Sequence, residues 1–303
     1  MSNATSEHSK GKGSAVPAVS VSYVQDAEFD YALDFTICTL VADEDRYHRM
    51  LNSFAAQGFS DMNSEFIALD NRTVNRFDGY SWLRRVLPQA KGRWIVFCHD
   101  DVELVNDGFE DLVSCLNELT AKDPRWSLAG NAGHAHGNEG FGRRSKVFYL
   151  LAPDRSESRH GRPPERVESL DENFFVLNRS NLVVGSLDLS GYHFYATDLV
   201  RLGEILGTRA YVVPFELLHH SHGTRDKSFV QARRAFARKH RRYRPMSRID
   251  ATTGPVWLGP FGYLDRWFAT KVDDETGIYH GRREGKFWDA GRRIKDMMKW
   301  SAS

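Results

Sequence analysis

The sequence is poor in cysteine, in long apolar runs and in net charge. Three cysteines, Cys38, Cys98 and Cys115, stand among 303 residues. That is too few for a disulfide framework, and Cys38 and Cys98 lie in apolar runs that suit buried thiols better than metal ligands. Such usage fits a reducing compartment. No stretch approaches the ~18 apolar residues of a membrane span. Met1 to about Ser20 is rich in Ser, Gly, Ala and Lys and lacks the apolar centre of a signal peptide, so a disordered tail is expected over 1–30. The 41 Lys and Arg residues almost cancel the 40 Asp and Glu residues. Whole-chain charge therefore does not point to nucleic acid, although local basic clusters need separate treatment. Glycine is missing from Val41-Ala42-Asp43-Glu44-Asp45, directly after the first apolar run. This counts against a glycine-rich phosphate loop and the nucleotidyltransferases that would use one.

What is present is an alternation of apolar runs with helical periodicity. Hydrophobic residues make up 41% of the chain, enough for a large core. Phe35 to Val41, Glu65 to Leu69 and Trp94 to Cys98 read as strands. Tyr47, Met50, Leu51 and Phe54 mark a helix that Gly58 would end. Leu83, Val86 and Leu87 mark a second helix, and Phe109, Leu112, Val113 and Leu116 a third. Further strands are expected at 127–130, 147–151, 174–177 and 210–213, with a helix carrying Leu199, Leu202 and Ile205. The rhythm predicts an α/β fold with a mostly parallel central sheet flanked by helices. In such sheets ligands bind beyond the carboxyl ends of the strands, so the residues there are examined first.

Four polar groups occupy such ends. Trp94-Ile95-Val96-Phe97-Cys98 runs straight into His99-Asp100-Asp101. Paired carboxylates are costly in a dry core and belong at the sheet rim, where they can hold Mg²⁺ or Mn²⁺ or simply cap a turn. Asp171-Glu172 precedes a later strand. Asp198 falls where a helix begins, the place of an N-cap or of a general base. His219-His220-Ser221-His222 follows a strand, and imidazole can complete a metal site begun by carboxylates. On an alternating strand His219 and His220 face opposite ways.

In this order, over roughly residues 34–224, these groups resemble the GT-A glycosyltransferases, particularly family 2 and its relatives. The resemblance implies a nucleotide-sugar donor (a UDP-, GDP- or dTDP-sugar), a glycan or other hydroxyl acceptor, and a divalent cofactor, Mn²⁺ or Mg²⁺. It places Thr39, Val41, Asp70 and Asn71 at the nucleotide and Asp100 near the donor. Asp101 would be the metal ligand, joined by His220, which lies six residues after Pro214. Asp198 becomes the catalytic base of an inverting displacement, and Asp171 and Glu172 lie near the reacting sugars. Arg225 would reach the diphosphate. A catalytically silent GT-A module that binds glycan or serves as a scaffold is the alternative.

The chain then divides into a tail (1–30), a GT-A domain (31–224) and a basic helical extension (225–303). The extension interleaves Phe229, Ala232 and Phe236 with Arg233, Arg234, Arg238, Lys239, Arg241 and Arg242. A solvated basic face, an acidic glycan and a peripheral contact at the inner membrane face stay open for it, as does a homo-oligomer contact. Nucleic acid ranks low because no recognition motif accompanies the charge. The expected location is cytoplasmic.

Overall fold

The computed structural model describes residues 20–23, 29–136, 146–151, 157–220, 227–244 and 247–258. Met1–Asp30 and Tyr31–Ser303 form separate units, and the features below belong to the second. Its elements are β1 (Leu33–Val41), α1 (Glu44–Ala56), β2 (Ser64–Asp70), α2 (Trp82–Val86), β3 (Gly92–Cys98), β4 (Val102–Glu103), α3 (Phe109–Lys122), β5 (Trp126–Gly130) and β6 (Ala132–Ala135). There follow β7 (Lys146–Leu151), β8 (Glu157–His160), β9 (Glu165–Leu170), β10 (Phe174–Asn178), α4 (Tyr195–Ile205), β11 (Arg209–Val212), β12 (Leu217–His219), α5 (Lys227–His240), β13 (Arg248–Ala251) and β14 (Gly254–Trp257).

Strand periodicity divides the core into two layers. Phe35 and Ile37 of β1, Trp94, Val96 and Cys98 of β3, Phe174 and Val176 of β10, and Tyr211 of β11 face one side. Their neighbours Cys38, Ile95, Phe97, Phe175, Leu177, Ala210 and Val212 face the other. Helices cover both faces, α1 and α3 on the first side and α2, α4 and α5 on the second. A strand covered twice must be apolar throughout, which accounts for the unbroken run in β3. Helix α1 starts where Asp43 accepts a hydrogen bond from the Arg46 N–H at 2.9 Å. It stops at Gly58, whose φ of 89° suits glycine.

The α/β class with a helix-flanked central sheet is as expected, and its parallel pairing has definite places. β2, β1 and β3 run parallel, as do β5 with β11 and β7 with β12. β10 lies antiparallel between β3 and β5, and β9, β6, β7 and β8 also pair antiparallel. Parallel neighbours need a crossover, usually helical. From Ala132 to Asn178 the described residues contain no helix, so the chain returns there by shorter connections. Among the described residues no helix is long and apolar enough to cross a membrane.

The described part of the basic extension is built into the core. Phe229 and Phe236 of α5 are buried on either side of Phe194, with ring centroids 5.4 and 5.3 Å away. Fully burying one such ring is worth about 1.5–3 kcal/mol. Phe194 needs this support, because its φ of 66° is a left-handed conformation that costs a non-glycine residue about 1–2 kcal/mol. The β13–β14 hairpin is tied to β9, with the Asp250 N–H donating to Glu168 and the Ser169 hydroxyl to the Asp250 carbonyl.

Candidate active site

The buried strand β3 delivers His99, Asp100 and Asp101 to the carboxyl end of the sheet. Their roles divide at once. Asp100 Oδ2 accepts the N–H groups of Ala42 and Asp43 at 2.9 and 3.0 Å and faces Arg46 at 3.3 Å. It ties the end of β3 to the start of α1. A position at the donor was expected for it, but this oxygen is already occupied by the chain.

Asp101 meets two imidazoles. His219 Nε2 lies 3.3 Å from Asp101 Oδ1, and His99 Nδ1 lies 3.8 Å from the same oxygen. The two rings are 5.5 Å apart by centroid. One ligand atom from each of the three residues falls within 4.8 Å of the others. The expected partner His220 is not among them, because its Nε2 bonds Glu103 at 2.9 Å instead. Strand alternation explains the exchange. β12 pairs antiparallel with β4, placing His219 opposite Val102 and drawing the His220 N–H onto the Asp101 carbonyl. Only one of two successive side chains can face Asp101, and it is His219.

The protonation pattern follows from the partners. The Tyr195 hydroxyl donates to the Glu172 carbonyl at 3.1 Å and lies 3.1 Å from His99 Nε2. A hydroxyl has one proton, so Tyr195 accepts from His99. His99 therefore carries its proton on Nε2 and leaves the Nδ1 lone pair facing Asp101. Burial and the neighbouring His219 hold the His99 pKa below its ordinary value, against the pull of Asp101, Asp171 and Asp100. A neutral imidazole with a directed lone pair is a metal ligand. His219 Nε2 is buried and has no hydrogen-bond partner. A buried nitrogen in that state calls for a partner, and a cation would supply one.

Glu172 is linked to this cluster through its backbone carbonyl, which accepts the Tyr195 hydroxyl. Its carboxylate accepts from the backbone N–H groups of Phe194 and Tyr195, at the start of α4. The left-handed turn at Phe194 shapes that approach, and Gly79 leaves room for the Tyr195 ring, since a Cβ on Gly79 would fall 2.1 Å from Tyr195 Cδ1. Burial pushes the Glu172 carboxyl well above the usual carboxylate range, Asp171 adds to the rise, and the two N–H groups oppose it. Asp171 accepts from the Asn173 N–H at 3.1 Å and lies half-buried.

Asp198, expected as the catalytic base, lies elsewhere in the network. Its side chain is fully buried. One oxygen accepts the Ser186 N–H at 3.0 Å, and the other meets the Ser186 hydroxyl at 2.8 Å and His240 Nε2 at 2.7 Å. Both carboxylate oxygens are thus engaged by the chain itself. The Asp198 helix instead presents Tyr195 to the cluster.

The expected nucleotide contacts divide similarly. Thr39 is buried, with its hydroxyl against Met50 and Cys98 sulfurs, and Val41 is a core side chain. Both point inward because β1 is covered on both faces. Asn71 is buried and clamps the following loop, accepting the Arg76 and Phe77 N–H groups and donating to the Phe77 carbonyl. Asp70 is exposed at the end of β2 and pairs with Arg72 at 3.0 Å, which holds its carboxyl down to about 2. Arg225 lies outside the described residues. The resemblance named His220 where the structure brings His219 to Asp101, and Tyr195 was not singled out. Strand alternation says that the two histidines face opposite ways but not which one meets Asp101, and nothing in the sequence signals Tyr195.

No family model matches the chain. A protein of Fuscovulum blasticum, described as ATP synthase subunits region ORF 6, is 40% identical over 244 residues, 80% of this chain and 98% of that protein. Among solved structures, the mannosyltransferase PcManGT of Pyrobaculum calidifontis, in complex with GDP-Man and Mn²⁺, superposes with a TM-score of 0.40 at 12% identity. That match covers 70% of this chain and 65% of the mannosyltransferase. S. aureus TarS superposes with a TM-score of 0.41 at 13% identity, over 68% of this chain and 39% of TarS. The chain thus spans less than two thirds of either of these structures.

Proposed function

The chain belongs to the family of the Fuscovulum blasticum ATP synthase subunits region ORF 6 protein, and we propose that it is a metal-assisted glycosyltransferase of GT-A type. One observation carries the proposal: His99 Nδ1 and His219 Nε2 lie 3.8 and 3.3 Å from Asp101 Oδ1 at the carboxyl end of β3, close enough for one ion to meet all three residues. The order of acidic and histidine groups along the sequence, with its resemblance to GT-A enzymes, supplies the reaction class.

The donor set fits a divalent ion of the transition series. Two imidazoles and one carboxylate suit Mn²⁺ better than Mg²⁺, which prefers oxygen ligands and holds its waters. Bound there by His99, Asp101 and His219, such an ion would neutralise the charge on a departing nucleoside diphosphate. Tyr195 fixes the His99 ring and its tautomer, while Asp100 anchors the strand end to α1. Asp70 offers a carboxylate to the hydroxyls of a donor ribose. Glu172 accepts the proton of the acceptor hydroxyl, replacing Asp198 in that role. A carboxylate with a raised pKa suits this work near neutral pH. Attack on the anomeric carbon from the side opposite the nucleotide would invert its configuration.

The silent-module alternative draws on one observation, the closure of Asp198 away from the site. Thermal-shift titration with UDP, GDP and dTDP, with and without Mn²⁺, tests the donor site. A ligand that binds only the folded state raises Tm by mass action. At a hundredfold excess over Kd the gain is about 2.7 kcal/mol, or several degrees. We expect a shift that needs both Mn²⁺ and one nucleotide, disappears in His219→Ala and persists in His220→Ala. A shift lost equally in both variants would remove the ligand set. A shift with no sugar transfer to any hydroxyl acceptor would favour the silent module.

A further inference from the structure

Helix α4 serves a second polar region. Tyr195, in its first turn, touches His99, whereas Arg201 and Glu204 lie about 9 and 13 Å further along the axis at 1.5 Å per residue. They form one wall of a cavity of about 440 Å³. Arg166 of β9, Arg209 of β11, His136 and Arg244 complete its charged lining. None of His99, Asp101 and His219 takes part in it.

Four arginines and one carboxylate residue thus line the cavity, and two of the arginines already have partners. Arg201 is 5% exposed and pairs with Glu204, and Arg209 pairs with Asp123 at 2.8 Å. Glu204 is further engaged by His136 Nε2 at 3.5 Å. Burial would raise the Glu204 carboxyl, yet the His136 hydrogen bond and the charges of Arg201 and Arg244 hold it below its ordinary value. It is therefore ionised and its charge is matched. Among the described residues no carboxylate lies within ion-pair distance of Arg166 or Arg244. The cavity keeps a positive surplus in a concave wall that concentrates its field. Planar guanidiniums match the oxygens of a phosphate in paired hydrogen bonds. The volume falls in the range of small-ligand pockets. The rim residues Ile205 and Tyr243 are 50% and 57% exposed and give it an apolar edge.

We propose that this cavity binds a phosphate ester, with Arg166 and Arg244 on the phosphate oxygens and Arg201 as the buried positive wall. The phosphate belongs either to a small soluble molecule or to a lipid headgroup, for which Ile205 and Tyr243 would be the contact with the acyl boundary. The site is independent of the donor reading.

The test is titration of the full chain with inorganic phosphate and pyrophosphate in EDTA, followed by calorimetry, for wild type and the double variant Arg166→Gln/Arg244→Gln. EDTA removes any metal that could hold phosphate at Asp101. Binding that weakens by about tenfold or more in the double variant, the loss of one to two charge-assisted hydrogen bonds, is the expected result. Unchanged Tm and circular dichroism show that the variant is folded. Should the double variant not fold, Arg166→Gln alone serves, because Arg166 is exposed. Sedimentation with phosphatidylglycerol vesicles, against phosphatidylcholine vesicles, separates the sources. Sedimentation lost in the variant assigns a headgroup, and phosphate binding without sedimentation assigns a soluble ester. Phosphate affinity equal in wild type and variant, or no binding of either anion or vesicle by wild type, would overturn the proposal.

Discussion

His219 Nε2 lies 3.3 Å from Asp101, and His240 Nε2 lies 2.7 Å from Asp198. Residue type does not distinguish these two histidine–aspartate pairs, but their surroundings do. Around Asp198 the circle is closed, since Ser186 supplies an N–H and a hydroxyl, His240 supplies the remaining contact, and neither side chain of the pair is more than 2% exposed. Around His219, beside Asp101, the circle is open. A second imidazole, that of His99, faces the same Asp101 oxygen, His219 Nε2 lacks a hydrogen bond, and Glu172, linked to the cluster through its backbone carbonyl, has a carboxyl that burial makes reluctant to ionise. A satisfied buried pair fixes structure, and a buried ring nitrogen without a hydrogen bond, such as His219 Nε2, has capacity left for a ligand. On that ground the base we propose is Glu172 rather than Asp198.

Glu172→Gln is the largest test of this contrast. Loss of a positioned base lowers kcat by about 10²–10⁴-fold, measured as sugar transfer at saturating donor and metal. In wild type, kcat/KM should rise with pH through a value above the usual carboxylate range, because Glu172 acts only when ionised, and this acid limb should vanish in the variant. Stability responds in the opposite sense. A carboxyl whose folded pKa is raised contributes stability that is complete below its unfolded value, ordinarily 4.5, and is lost as pH rises through the folded value. Glu172→Gln should therefore gain on wild type in Tm as pH rises over that window. Full activity in the variant would return the proton transfer to another group and break the contrast.

Asp198→Ala probes the closed side. Removing one partner of a buried pair costs about 3–5 kcal/mol, because the other is left without compensation. Urea denaturation should show that loss, and Asp198→Ala/His240→Phe should recover part of it by replacing the stranded imidazole with an apolar ring. At low temperature, the folded fraction of Asp198→Ala should still transfer sugar. A variant of wild-type stability with no activity would mean that Asp198 acts on substrate after all.

The sequence made the frame of the fold legible where periodicity is strong. The double-faced apolar run of β3, the heptad-like spacing of α3 and the glycine stop of α1 all appear where expected, because each depends on local sterics and burial. The antiparallel strands between Ala132 and Asn178 were not legible as such. Strand direction is set by the connection, and a run such as Phe174-Phe175-Val176-Leu177 is equally apolar in either direction. At the site, Asp101 was legible from the abrupt end of a buried strand. The choice between His219 and His220 was not, since alternation says only that the two differ, and the pairing of β12 with β4 decides which one faces inward. Asp198 looked catalytic through the resemblance to GT-A enzymes, since a carboxylate at a helix start by itself suits an N-cap as well as a base. Its closure depends on Ser186 and His240, 12 and 42 residues away in the chain.

The smallest expected effect concerns Tyr195, which joins the open region to α4. Its phenol is held in the protonated form by burial and then by the charges of Glu172 and Asp171, so it keeps donating to the Glu172 carbonyl and accepting from His99. Tyr195→Phe keeps the ring against Phe97 and Tyr80 and removes only the hydroxyl. His99 then loses the partner that fixes its tautomer, and its Nδ1 lone pair faces Asp101 for only part of the time. Removing such an orienting contact typically weakens metal binding by about 10–100-fold, which Mn²⁺ titration followed by electron paramagnetic resonance would measure. Tyr192→Phe is the control, since the Tyr192 hydroxyl bonds the Phe77 carbonyl and does not touch His99. Equal Mn²⁺ affinity in wild type and Tyr195→Phe would show that His99 is not oriented through Tyr195. The open pair would then rest on Asp101 and His219 alone.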